Sequence, residues 1–152
     1  MEYEIVHLSK EKWKGTIIPI KYKTDKLYED HWENAYAWGV LVNDELVAAI
    51  ETNQELCSNR LRITELWVAE KYQKQGMGHG LIEMAKEQAR RERRRAIILE
   101  TQSCNVNAVD FYQNEGFSLN GMDTCCYKNN DLERKEVRLE FGWFPEEKKR
   151  KD

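Results

Sequence analysis

Apolar side chains at alternating and helical spacings divide the chain into readable segments. Ile5 and Val6 mark a short first strand. Ser9 ahead of Glu11, Lys12, Trp13 and Lys14 predicts a short capped helix, because a serine hydroxyl can accept one of the first free helical N–H groups. Pro19 is expected to interrupt regular structure. The stretch 28–34 carries Glu29, Asp30 and Glu33 around Trp32, and it reads either as a helix with an acidic face or as a loop beside a substrate. Two apolar runs, Ala37 to Val42 and Leu46 to Ile50, flank Asn43, Asp44 and Glu45, the signature of a tight hairpin. After the polar residues 52–60, Leu61 to Val68 returns to strand chemistry. Strict alternation there puts Ile63, Glu65 and Trp67 on one face and Thr64, Leu66 and Val68 on the other.

The period then changes. Leu81, Ile82, Ala85 and Ala89 follow the segment Gln73-Lys74-Gln75-Gly76-Met77-Gly78-His79-Gly80 at helical spacing, so a helix opens right after the glycines. It should end within Arg90 to Arg95, where cations suit the negative end of the dipole. Ala96 to Leu99, with Glu100 and Thr101 behind it, is a buried-type strand. A second helix runs near Asn105 to Asn114 and is closed by Gly116. Phe117 to Leu119 and Thr124 to Tyr127 are strand candidates separated by Asn120 and Gly121. Val137, Leu139, Phe141 and Trp143 alternate with polar or small residues in a last strand. Residues 1–145 are therefore expected to form a single mixed domain, and 146–152 a charged tail.

Composition narrows the classes. The chain has 152 residues, with five Trp, seven Tyr and four Phe, which is enough large rings to offset the entropy of ordering one core. The longest nearly apolar run, Ala35 to Val42, is far short of the roughly 20 residues that a membrane span needs. The opening MEYEIVHL lacks a basic and then apolar leader, so a cytoplasmic location is expected. Cys57, Cys104, Cys125 and Cys126 show neither CxxC spacing nor a histidine at ligand distance, and they are expected to be free thiols with no metal. A net charge of -3 recommends neither nucleic acid nor an anionic membrane as partner. The run Arg90, Arg91, Arg93, Arg94, Arg95 reads as a solvated helix end.

The chemistry sits in the glycine-rich turn. A strand, a turn and a helix bring free backbone N–H groups and the positive end of a dipole to one spot, which suits phosphate. A P-loop would need Lys and then Ser or Thr after the last glycine, and the dinucleotide fingerprint would need a small residue where Leu81 stands, so both fail. What remains, Gln73-x-x-Gly76-x-Gly78 behind Leu66-Trp67-Val68, resembles the GNAT superfamily of acyl-CoA N-acetyltransferases. Downstream, Asn105-x-x-Ala108-x-x-Phe111-Tyr112-x-x-x-Gly116-Phe117 resembles that family's second coenzyme-contacting helix. Structural alternatives are a helix-opening turn with incidental glycines and an amphipathic helix with Phe111 and Tyr112 in the core. Within the superfamily the chain looks closest to streptothricin acetyltransferases, through Leu99-Glu100-Thr101-Gln102, Gly121-x-Asp123-x-x-x-Tyr127, and Ile18-Pro19-Ile20 with Tyr22. It departs in having Glu70 where the family often has Pro, and Gln73 where it often has Arg.

The resemblance implies an α/β (α+β) GNAT fold, with a mixed, mostly antiparallel sheet flanked by helices. That sheet would be splayed in the middle, between the strand ending at Val68 and the one ending at Glu100. It implies acetyl-CoA as co-substrate, held by Gln73, Lys74, Gln75, Gly76, Met77, Gly78 and His79, with Trp67, Val68 and Asn105 along the pantetheine arm. Lys74 would add an ionic contact, and His79 would serve as a backbone donor. Glu65 would be the general base and Tyr112 the proton donor to the departing thiolate, while the Val68 N–H would meet the oxyanion. Amines of lysine type have a pKa of about 10.4, so only about one in 2,500 is neutral at pH 7, a deficit near 4.6 kcal/mol that calls for a base. Glu100 and Asp123, with Glu29, Asp30 and Glu33, are candidate acceptors for a cationic substrate. The expected partners are a small-molecule amine and a second copy of the chain in a homodimer, with no nucleic acid and no membrane. Alternatives are transfer to a polyamine, an aminoglycoside or a protein N-terminus, and a non-catalytic acyl-CoA-binding domain.

Overall fold

A computed structural model describes residues 2–20, 23–134 and 136–145. Tyr22 and the charged tail 146–152 lie outside the described residues. The elements in chain order are β1 (Ile5–Leu8), α1 (Lys10–Trp13), β2 (Ile17–Ile20), β3 (Lys23–Lys26), β4 (Ala35–Val42), β5 (Glu45–Glu55) and β6 (Arg60–Val68). After them come α2 (Met77–Arg91), β7 (Ala96–Gln102), α3 (Val106–Asn114), β8 (Ser118–Asp123), α4 (Asp131–Arg134) and β9 (Arg138–Trp143).

Seven strands form one sheet in the order β1-β4-β5-β6-β7-β9-β8, while β2 and β3 pair separately as a two-stranded arm. All neighbours in the large sheet are antiparallel except β6 and β7. That one parallel pairing is short, from Arg60↔Ala96 to Arg62↔Ile98. Beyond Arg62 the two strands part, and the sheet opens into the expected splay.

Local chemistry explains most of the frame. Asn43 and Asp44 both take positive φ, at 50° and 63°, which is the conformation a two-residue hairpin loop demands. Ser9 caps α1 by accepting the Lys12 N–H, and Asn105 caps α3 by accepting the Ala108 N–H. Gly116 follows α3 at φ +93°. Helix α2 lays Leu81, Ile82, Ala85 and Ala89 onto the sheet, and the Thr52 hydroxyl donates to Gln88 Oε1 at 2.9 Å beneath it. A second apolar cluster, Leu8, Ile18, Leu27, Tyr28, Ala37 and Ala49, seats the arm.

Four expectations need correction. Pro19 does not break structure, because it sits in β2 opposite Thr24 in an isolated ribbon, where a missing N–H removes little. Asn120 and Gly121 do not separate two strands, since β8 runs through them with a register shift between Leu119 and Gly121. Thr124 to Tyr127 forms turns and not a strand, held by Asp123 accepting the Cys125 N–H at 3.0 Å and by buried Asp131 accepting the Tyr127 N–H at 2.8 Å. In β6 strict alternation fails. Glu51 pairs Glu65 and Thr52 pairs Ile63, so Thr64 is the extra residue of a β-bulge.

Candidate functional site

The splay between β6 and β7 encloses a cavity of about 510 Å³. Glu65 lines it from β6, Glu100 from β7, and Asn105 and Tyr112 from the α3 side. Asp25 and Trp32 reach it from the arm, and Tyr127 from the turns after β8. Sequence reasoning missed Asp25 altogether, because nothing in its neighbourhood signals that the arm folds over the cleft. Asp123 is not among the lining residues, its carboxylate being used to hold the 123–125 turn. The 28–34 segment is a series of turns and not a helix. Asp30 pairs with Lys14 at 2.5 Å, and Glu33 is exposed.

Burial pushes the Glu65 carboxyl up to about 9. A side-chain hydrogen bond with Asp25 adds to this, as do the charges of Asp25, Glu51 and Glu29. Two carboxyl groups within hydrogen-bonding reach must share a proton, since neither carboxylate alone can donate. In the free protein Glu65 is thus protonated at neutral pH. Tyr112, half-buried on α3, is likewise pushed up to about 12 by burial and by the charge of Glu65, so its phenol keeps its proton. Glu100 is half-exposed and pairs with Arg138 Nε at 2.6 Å.

The glycine turn follows β6 in the chain, and its residues are not among those lining this cavity. Gly76 caps α2 at φ +87°, and a Cβ there would meet only the Tyr3 hydroxyl, 3.9 Å away. The Gly80 N–H bonds to Gly76 O, which leaves the N–H groups of Met77, Gly78 and His79 at the start of the helix without intrahelical partners. Gly78 is small for a second reason, because its Cβ would come within 3.2 Å of the Phe111 ring on α3. This cradle of free N–H groups fits a diphosphate. Lys74 is exposed and takes φ 61°.

Some assigned side chains are already engaged. Gln73 Nε2 donates to Val68 O at 3.1 Å, and the Asn105 oxygen serves the α3 cap. His79 Nδ1 lies 2.7 Å from Glu115 Oε1, and with Glu83 these three bring ligand-type atoms within 4.8 Å of one another. Trp67 packs in the arm-side cluster and Val68 beside α2, both just past the lined stretch of β6. In the arginine run, Arg94 Nε pairs with Glu92 at 3.0 Å and Arg95 Nε donates to Ser58 O at 2.7 Å. All four cysteines are exposed, and none of them forms a disulfide. Among the described residues no helix is long and apolar enough to cross a membrane.

Comparison with known proteins agrees with this geometry. A family model described as "Acetyltransferase (GNAT) family" matches residues 3–117. A streptothricin acetyltransferase of Escherichia coli is 31% identical over 141 residues, covering 91% of this chain and 80% of its own length. Streptothricin acetyltransferase A of Bacillus subtilis is 32% identical over 83 residues, 48% of each chain. The crystal structure of a Bacillus anthracis protein designated a streptothricin acetyltransferase, in complex with acetyl coenzyme A, superposes with a TM-score of 0.73 at 22% identity over 95% of this chain and 99% of that one. The chain belongs to the acetyltransferase (GNAT) family and is an acetyl-CoA-dependent N-acetyltransferase.

Proposed function

We propose that the chain acetylates a primary amine of streptothricin, its β-lysine amine, with Glu65 as base and Tyr112 as acid. The observation that carries the reading is the single cleft lined by Glu65, Asp25, Glu100 and Trp32, whose mixture of carboxylates and an aromatic face suits a cationic amine. The similarity to the Escherichia coli streptothricin acetyltransferase supports the substrate class.

An arriving ammonium supplies the positive charge that the carboxyl pair lacks, and opposite charge favours the ionised carboxylate. Glu65 therefore gives up its resting proton as the amine enters and becomes available to take one from the ammonium. The neutral nitrogen then attacks the thioester carbonyl. The Val68 N–H is assigned to the negative charge that develops on the acetyl oxygen. Tyr112 is assigned to protonate the departing sulfur, and its phenol is restored by the proton that Glu65 has taken. The acetylated nitrogen then gives its second proton to Glu65, which returns to its resting protonated form. One proton is released in the net reaction. The diphosphate of the co-substrate would be held by the N–H groups of Met77, Gly78 and His79, and the Asn105 end of α3 would flank the pantetheine arm. A cytoplasmic location belongs to the same reading, because four exposed cysteines outside any disulfide suit a reducing compartment.

The test is thiol release from acetyl-CoA against a panel of amines. Streptothricin should be turned over better than aminoglycosides. Efficient turnover of spermidine with none of streptothricin would move the enzyme to polyamine substrates.

A further inference from the structure

Glu51 is fully buried, lies outside the lining of the cleft, and has no part in the mechanism above. Its two carboxylate oxygens are both engaged at short range. One accepts the Tyr28 N–H at 2.6 Å and the other the Thr64 hydroxyl at 2.6 Å. Each partner is an irregular point of the backbone. Tyr28 is a bulky residue at φ 58°, a left-handed conformation that persists only where its surroundings enforce it. Its hydroxyl is pinned as well, donating to Leu8 O at 2.5 Å and accepting the Ala37 N–H at 3.0 Å. Thr64 is the extra residue of the β6 bulge.

Both irregular points carry groups of the cleft. Asp25 and Trp32 stand three residues before and four residues after Tyr28, and Glu65 follows Thr64 directly. We propose that Glu51 is a positioning residue of the transfer site, latching the 23–32 arm to the β6 bulge so that Asp25 is held against Glu65 in the cleft. The proposal rests on reading that cleft as the amine site.

A purely structural latch would not need a charge. Glutamine at 51 keeps both contacts, its oxygen accepting the Tyr28 N–H and its amide donating to Thr64 Oγ1. The Thr64 hydroxyl is then free to donate to the residue 51 carbonyl, 3.2 Å away. Burial pushes the Glu51 carboxyl up, while the Thr64 hydroxyl and the Tyr28 N–H that it accepts favour its ionised form. As a carboxylate accepting from both, it differs from glutamine in adding negative charge beside Glu65. The other titratable groups acting on Glu65 are Asp25 from β3 and Glu29 from the turn after it, and Tyr112 faces it from α3. Taking one charge from this set lowers the proton affinity of Glu65.

The test is the titration of Glu65 followed by carbon-13 NMR of glutamate-labelled protein, assigned by the signal lost in Glu65→Gln, in the parent and in Glu51→Gln. The midpoint should fall by half a pH unit or more in Glu51→Gln while the melting temperature changes little. With streptothricin as the amine, Glu51→Ala should raise the amine KM tenfold or more and leave acetyl-CoA affinity within twofold. An unmoved Glu65 midpoint in folded Glu51→Gln overturns the proposal, as does an unmoved amine KM in folded Glu51→Ala. The titration needs no substrate. Absent turnover of streptothricin by the parent would therefore sink the substrate reading alone, and the midpoint would still decide the role of Glu51.

Discussion

The two ends of the β5–β6 pair bury carboxylates in opposite ways. At the end near the β6–β7 pairing, Glu55 meets Arg60 at 2.9 Å and Arg62 at 2.6 Å, and Arg62 reaches on to Glu140 at 3.1 Å. Burial alone would raise Glu55, yet the two guanidinium groups prevail and hold it below the usual carboxylate range. At the splayed end, Glu65 faces burial together with Asp25, Glu51 and Glu29, and rises to about 9. One pair of strands thus carries a neutralised network that ties β5, β6 and β9 together, and a crowded acidic site whose charge is held down by a proton on Glu65. Under the function proposed above, the difference separates carboxylates that serve the fold from the one that would meet a ligand.

The strongest way to break this contrast is Glu65→Gln, which keeps size and loses basicity. Turnover at pH 7 should fall roughly 100-fold to 10,000-fold, acetyl-CoA affinity should barely move, and the gap should narrow toward pH 9 to 10 as neutral amine becomes abundant. Parent-like turnover within about threefold, with chemistry rate-limiting, would remove Glu65 from the mechanism. The same variant sharpens the comparison through stability. Folded Glu65 keeps a proton that the unfolded chain releases near its ordinary 4.5, so the parent should lose stability as pH rises from about 4.5 to about 9. Thermal melts of Glu65→Gln should show a flatter decline over that window.

Tyr112→Phe removes a proton donor and should lower turnover roughly 100-fold without the recovery at high pH seen for Glu65→Gln. Recovery at pH 9 would instead make Tyr112 part of the base. At the opposite end, Arg62→Met leaves Glu55 and Glu140 short of a partner and should cost about 1–3 kcal/mol in urea unfolding at pH 7. Because Glu55 is held low, its support is present above its ordinary 4.5 and is lost as pH falls through its folded value, so the variant should differ less from the parent near pH 3. The smallest effect is expected of Asp123→Asn, whose amine KM should stay within twofold because Asp123 is not among the residues lining the cleft. A tenfold rise would return it to the substrate site.

Parts of the molecule whose reasons are local were legible in the sequence. The Asn43-Asp44 turn, the Ser9 cap, the opening of α2 after Gly76, the start of α3 near Asn105 and its close after Gly116 each depend on residues within a few positions of one another. The chain alone therefore determined the strand-turn-helix cradle and the second helix beside it. Tertiary structure decided the rest. Pairing of Glu51 with Glu65 across 14 positions and meeting of Tyr28 with Glu51 across 23 depend on strand register, which no local pattern encodes. The bulge at Thr64 overturned the alternation read from β6, and it adjoins the carboxyl that Asp25 meets. Whether a given acid is a surface charge, a cap, an ion-pair partner or a proton-holding group is set by what folds against it, as Asp30, Asp131, Glu55 and Glu65 each illustrate.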